Sequence, residues 1–445
     1  MKKILYPIVL MMLASACSNR QPAEAYSWEA DLHQRLLTDF CLTEAQVKAY
    51  IRKYIPDVTD EQMRRWEETK ALEYMELDGE KRYFQNAGPN LFRIDSLCRD
   101  IKQRQMKSSG LEGCEKDNVE NLPEIIGSVK NTGQPLAAPK RMRITYTLTV
   151  DTNAVPAGKV IRCWLPYPRT DLSRQQDVKL LATSEAEYVL SPAEATHRSL
   201  YMEKRAVQGE PTVFSESFEY TSYGEWHALD PDLILPYDTT TTLYREYTSE
   251  RESHIIFTPR LRELAARLTA GESNPYRKAQ RIFRWITYHL PWASAREYST
   301  IDNIPEYVLD NGHGDCGQVS LLFITLCRIC GIPAHFQSGF MMHPSGWNLH
   351  DWAEIYLQGI GWVPVDQSFG IPSFARDADE ENFFLGGIDS WRLIVNSDYG
   401  MPLVPEKKYP RSETVDFQRG EVEWEGGNLY FTQWDYEMEI EYLTR

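Results

Sequence analysis

Positive charge is in short supply in this 445-residue chain: 48 Lys and Arg stand against 64 Asp and Glu, a formal net charge of −16. A surface so acidic repels polyphosphate and argues against nucleic acid as a partner. Long apolar runs are scarce too. The run Ile4 to Leu13, which follows Lys2 and Lys3, has ten residues, about half of what a bilayer-spanning helix needs. Ala14, Ser15, Ala16 and Cys17 come next, so residues 1–16 read as an export signal rather than as part of the fold. Cysteine is sparse, eight in all, and Cys41, Cys98 and Cys114 share one segment in which pairing outside the cytoplasm is open. There is no internal repeat, no low-complexity tract and no EF-hand-like run of acids, so calcium is not implied.

Chemistry-bearing residues are concentrated between Gly312 and Asp366. Cys316 follows a Gly-rich turn and opens an apolar run, Val319, Leu322, Phe323 and Leu326, whose spacing predicts a helix ending near Gly331 and Pro333. A thiol at a helix N-terminus is expected to be acidified by the free N–H groups and the helix dipole. AHFQSGFMM then alternates as a strand. After the turn HPSGWN comes HDWAEIYLQ, where His350, Trp352, Glu354 and Tyr356 share one face and Ala353, Ile355 and Leu357 the other. A short QGIG turn leads into WVPVD, and the resulting hairpin brings Asp366 toward His350. A Cys, a His and an Asp on three elements equip the chain for thiol catalysis: His350 takes the Cys316 proton and Asp366 fixes the imidazole tautomer.

GDCGQ, CRICGIPA, HDWAEIY and GWVPVD, in that order, resemble the catalytic core of the transglutaminase-like superfamily, whose fold is related to papain. The resemblance covers residues 260–370 and puts Cys316, His350 and Asp366 on the triad positions. The residues ahead of Cys17 resemble a bacterial lipoprotein signal, which implies lipidation at Cys17; plain secretion is the alternative. Other readings of the region are weaker. Cys327 and Cys330 form a CxxC without the redox-type pattern after it and read as core. His313, Cys316, His335, His343 and His350 lack the spacing of a closed zinc site, so no metal and no cofactor is implied. His343 is the rival base, in a Pro and Gly turn. Trp292, Gln318 and Trp352 are the candidate substrate contacts, with Gln318 or Trp292 as a second oxyanion donor beside the Cys316 N–H.

The flanks complete an α+β architecture. Residues 17–107 read as a helical N-terminal domain, with capping boxes at Thr43/Gln46 and Thr59/Gln62, a helix running through TDEQMRRWEETKALEYMEL and another from Leu91. Residues 108–140, rich in Gly, Pro, Asn and Lys, read as a linker. The two-residue period of MRITYTLTV and TVFSESFEY makes 141–250 a β-sheet domain, sandwich-like. WLPYP with Gln175 and Gln176 resembles the β-domain that often precedes bacterial transglutaminase-like cores. Residues 251–400 form the papain-like core, and 401–445 supply C-terminal strands able to pair with the β-domain. The expected activity is amide hydrolysis through an acyl-enzyme. Transamidation and a non-catalytic scaffold are the alternatives, and the expected partners are protein, peptide or cell-wall peptide substrates, with membrane contact only through a lipid anchor.

Overall fold

The computed structural model describes residues 26–106, 111 and 113–443. The export signal and Cys17 lie outside these residues. Among the described residues no helix is long and apolar enough to cross a membrane.

The N-terminal region begins with α1 (Trp28–Asp39), α2 (Glu44–Ile51) and α3 (Asp60–Glu68). Both expected capping boxes are present, each Thr hydroxyl on an N3 amide and each Gln reaching back. The helix expected to run through Leu77 stops at Glu68 instead, and a hairpin follows, β1 (Tyr74–Leu77) with β2 (Glu80–Tyr83). Asp78 and Gly79 both have positive φ, 54° and 78°, the Asp-Gly turn that joins strands with the right twist. Next come α4 (Ala87–Ile94) and α5 (Ser96–Met106). α4 starts before the expected Leu91 because Pro89 falls in its first turn, where an N–H has no intrahelical partner to lose.

The expected linker also folds: α6 (Glu115–Thr132) is an 18-residue helix. Its Gly, Pro and Asn content hid an apolar face at Leu122, Ile125, Ile126 and Val129, which packs into the core, and tertiary burial overrides weak propensity. The strands β3 (Leu136–Val150), β4 (Val160–Pro166), β5 (Gln175–Thr183), β6 (Val189–Leu190), β7 (Ser199–Arg205) and β8 (Thr212–Trp226) follow. After them come α7 (Thr242–Tyr247), α8 (Pro259–Leu268), α9 (Pro275–His289), α10 (Ile304–Asn311) and α11 (Cys316–Ile329). Then come β9 (Ala334–His343), β10 (Gly346–Leu357), β11 (Gly361–Val365), α12 (Ala378–Glu381), β12 (Gly387–Ile388) and β13 (Arg392–Asn396). The chain closes with β14 (Glu421–Trp424), β15 (Gly427–Leu429) and β16 (Trp434–Tyr442).

Two five-stranded sheets form a sandwich. One runs β12-β8-β3-β16 with β5 on β8, the other β15-β14-β4-β7-β6, and inward residues such as Ile144, Cys163, Met202 and Phe218 share one core. A third sheet, β11-β10-β9-β13, carries α11 on one face, where Ala353, Ile355, Val363 and Val365 join the buried Leu322 and Phe323. Because side chains alternate along a strand, His350, Trp352 and Asp366 project from the opposite face. The mixed α+β class therefore stands, with a helical N-terminal region ahead of the sheets.

Candidate active site

Cys316 is the first residue of α11. Asp315 caps the helix: its carboxylate accepts from the Gln318 N–H at 3.0 Å, and the Gln318 Oε1 accepts in return from the Asp315 N–H at 3.3 Å. Tyr298 also donates its hydroxyl to Asp315 at 2.6 Å. A glycine is required at 317, since a Cβ there would run into the Tyr298 hydroxyl and lie 2.7 Å from Asp351 Oδ2. Gln318 is thus a capping residue, 1% exposed, rather than a substrate contact. Its Nε2 is buried without a partner.

His350 and Asp366 meet as the hairpin pattern requires: Nε2 lies 2.7 Å from Asp366 Oδ2. The register pairs Ala353 with Val365, which sets Asp366 opposite Trp352 and diagonal to His350. Asp366 has two further donors, the Phe369 N–H at 3.1 Å and the Arg392 guanidinium at 2.9 Å. Arg392 is itself paired with Asp389, and Asp389 lies 3.4 Å from His343 Nε2. Burial alone would raise the Asp366 carboxyl, but His350 and Arg392 outweigh it and hold it at about 2. The carboxyl is therefore charged at neutral pH, which an orienting role toward His350 would require.

The thiol is differently placed from the sequence expectation. Its Sγ–H donates to Asp351 Oδ2 at 3.3 Å, and no hydrogen bond joins it to His350 among the described residues. Asp351 and His350 are strand neighbours and project from opposite faces of β10. Burial pushes the Cys316 thiol well up, with the carboxyls of Asp351 and Asp315 adding to it, so the helix N-terminus does not produce the acidified thiol that the sequence suggested. Asp351 is raised in turn by burial and by Asp315, and the contact with Cys316 only partly offsets this.

Cys316 opens onto a cavity of about 250 Å³. Its walls come from three parts of the chain: the 292–298 loop, the start of β10, and the 413–419 segment. The last of these escaped the sequence reading. Gln418 Nε2 donates to the His350 carbonyl at 3.1 Å and to Asp351 Oδ1 at 2.9 Å, tying the C-terminal segment to β10. The signal that was present is SETVDFQRGEVEW, a run of polar residues without strand alternation, of which Ser412, Glu413, Asp416, Gln418 and Glu421 are buried. Polar residues buried in a run imply a hydrogen-bonded construction. The helical region also contributes. Asn90 bonds the Ser294 carbonyl at 2.8 Å and its N–H at 3.0 Å, and Asp39 accepts from the Glu297 N–H at 2.9 Å.

The other candidates fall out as follows. Trp292 is 42% exposed and lines the cavity, with Arg93 over its ring at 4.7 Å. Trp352 is fully buried and donates its Nε1–H to Gln337 at 2.7 Å, so it cannot touch substrate. His343 is buried at the end of β9 rather than in a turn and is held at about 4 by burial. Cys327 is core, and Cys41, Cys98 and Cys114 are free thiols rather than a bridge.

Residues 262–367, which contain Cys316, His350 and Asp366, match the family model of the transglutaminase-like superfamily. An uncharacterised protein of Haemophilus influenzae is 26% identical over 157 residues, covering 28% of this chain and 41% of that protein, so the match spans less than half of that relative. Among solved structures, a candidate cysteine protease from Cytophaga hutchinsonii superposes with a TM-score of 0.45 at 16% identity, covering 70% of this chain and 93% of that one. The periplasmic domain of TgpA from Pseudomonas aeruginosa superposes with a TM-score of 0.27 at 15% identity, covering 55% of this chain and 91% of that domain.

Proposed function

We propose that this chain, which carries a transglutaminase-like core over residues 262–367, is a thiol-dependent amide hydrolase using Cys316, His350 and Asp366. The observation that carries the reading is a partly buried cysteine at the first turn of α11, lining a cavity, together with a His350–Asp366 pair at 2.7 Å on the adjoining hairpin. His350 takes the thiol proton, Cys316 sulfur attacks the amide carbonyl carbon, and the imidazolium returns the proton to the leaving nitrogen as the C–N bond breaks. Water, deprotonated by His350, then releases the acid and regenerates the thiol. The Cys316 N–H at the helix end supplies one oxyanion donor. Transfer to an amine uses the same thioester; hydrolysis is favoured because water is always at hand in an open cleft. The apolar run ahead of Cys17 supports an exported, lipid-anchored protein acting on protein, peptide or cell-wall peptide amides.

The 3.3 Å contact between Cys316 and Asp351 supports a second reading, in which Asp351 is the proton acceptor and His350 is structural. The two make opposite forecasts for iodoacetamide labelling of Cys316 across pH 5 to 9. With a His350 base, H350A loses the reactivity near pH 6 while D351N keeps or gains it, because an ordinary thiol of pKa about 8.5 hardly reacts there. Loss in D351N with retention in H350A overturns the triad. A scaffold without turnover predicts that Cys316 never labels faster than Cys327 and that no thioester is trapped by mass spectrometry.

A further inference from the structure

We propose that the cleft over Cys316 contains a subsite for an ammonium group, built on the free carboxyl group of Asp416, so that the amide substrate carries a primary amine close to its scissile carbonyl. The inference rests on the hydrolase reading for its substrate but not for its test.

Five carboxyl groups line this cavity, those of Glu297, Asp315, Asp351, Glu413 and Asp416, against two guanidinium groups, Arg296 and Arg419. Both cations are already committed. Arg419 holds Glu297 through two bonds at 2.9 and 2.7 Å and Glu413 through one at 2.7 Å, with its plane 3.6 Å over Phe431. Arg296 lies 3.7 Å from Glu73 and over the rings of Phe40 and Tyr307. Of the carboxyls left, Asp315 accepts from Tyr298 and Gln318, and Asp351 from Gln418 and Cys316. Asp416 differs from all of these. It is 7% exposed, it faces the cavity, and the structure gives its carboxyl no hydrogen bond and no ion pair; only its backbone carbonyl is used, by Arg411.

The residue is largely buried while its carboxyl oxygens, unpartnered among the described residues, are not sealed from solvent, so a proton or a cation entering the cavity can reach them. Burial pushes Asp416 well up, and Glu413 and Asp351 add to this, against a weaker opposing pull from Arg419 and Arg411. An ammonium group answers that demand: it is small, has three donors and can meet Asp416 with Asp351 nearby. Held against a carboxylate the amine keeps its proton, so it cannot attack the thioester. The subsite recognises the substrate rather than accepting its acyl group. The amine has two sources, the α-ammonium of a peptide N-terminus or the side chain of a diamino acid residue.

Methanethiosulfonates of different charge read the subsite without needing turnover. Each transfers its thiol fragment to the cysteine, forming a disulfide and releasing methanesulfinate. We expect the rate ratio of the aminoethyl to the sulfonatoethyl reagent at Cys316, followed by peptide mass spectrometry, to exceed that at the exposed Cys41 by about tenfold or more. D416N should cut that excess several-fold without changing the neutral methyl reagent's rate. Protection of Cys316 from the aminoethyl reagent by alaninamide assigns the α-amine, and protection by Nα-acetyl-lysine methylamide assigns the side-chain amine. A ratio at Cys316 no larger than at Cys41, an excess that survives D416N, or protection by neither amine overturns the subsite. A trapped thioester with no charge preference removes the subsite and leaves the hydrolase; charge preference with no turnover of any amide does the reverse.

Discussion

Replacing Asp366 by Asn tests the centre of the site, because the change keeps the shape and removes one charge. Asp366 is fully buried and its carboxyl is held at about 2 against an ordinary value of 3.8. A depression of that order corresponds to about 2 kcal/mol of stability at neutral pH. Leaving Arg392, itself fully buried, with Asp389 as its remaining carboxylate brings the expected loss to about 3 kcal/mol, near the range for breaking a buried pair. The D366N protein should therefore fold but melt measurably lower than wild type. The Arg392 contact at 2.9 Å is what adds a stability cost to the change.

The sign of the pH dependence is fixed by the depressed value. The contribution is fully present above about pH 4 and is lost as pH falls through 2, so the wild-type advantage over D366N in denaturant unfolding should be constant from pH 7 to 5 and roughly halved at pH 3. Turnover per folded molecule should fall on the order of 10³-fold or more, since an amide in place of the carboxylate can hold the wrong imidazole tautomer. A D366N protein as stable and as active as wild type would falsify the assignment and leave a thiol acting without Asp366. A stability gap that does not narrow at pH 3 would remove the charge argument while leaving the tautomer argument standing.

Asn90→Ala should release the 292–298 loop, whose Ser294 backbone it bonds on both sides; a stability loss of about 1–3 kcal/mol and faster proteolysis within that loop are expected, and unchanged cleavage there counts against the brace. Gly317→Ala places a methyl group against Tyr298 and Asp351, so labelling of Cys316 should change in rate while the fold survives; wild-type labelling kinetics exclude that clash. Burial holds His254, His313 and His343 at about 4, so they stabilise the fold above about pH 6.5 and lose that contribution as pH falls toward 4, at about 1.4 kcal/mol per unit each. Burial raises Asp39 to about 7, Asp315 to about 6, and Asp351 and Asp416 well up, which works in the opposite direction, so the readout is the difference between variants: His313→Gln should gain melting temperature relative to wild type as pH falls from about 6.5 to 4, and parallel curves remove His313 from the account.

The β10–β11 hairpin and the helix that carries Cys316 were legible because their cues are local: a period of two in HDWAEIYLQ, a turn in QGIG, an apolar helical face after a Gly-rich turn. What the sequence concealed depends on burial or on distance along the chain. α6 was hidden because Pro123 and its Gly and Asn neighbours resemble a linker until Leu122, Ile125 and Val129 are seen to have a core to enter. The β1–β2 hairpin was hidden by helix-forming residues on either side of Asp78 and Gly79. Within the site, local pattern supplied His350 and Asp366 but not Arg392, 26 positions beyond Asp366, nor Gln418 and Asp416, further still. Asp351 sits directly beside His350 in sequence, yet pleating sends the two to opposite faces, and no pattern in one strand says which of them a helix 35 residues upstream will meet.

That division has a consequence for how the site is assembled. The 412–421 segment is remote from β10 in sequence, and Gln418 bonds both the His350 carbonyl and the Asp351 carboxyl. The same segment supplies Asp416 to the cavity and Arg419 to Glu297 on the opposing loop, while β14 and β16, which follow it, are anchored in the sandwich on β4 and β3. Loop closure over such a separation adds little per extra residue, but the segment has no regular structure of its own and is held by side-chain bonds and by the two strands at its end. The sandwich therefore does more than precede the core: it anchors the strands that follow one wall of the cleft, and that wall holds the Asp351 carboxyl through Gln418.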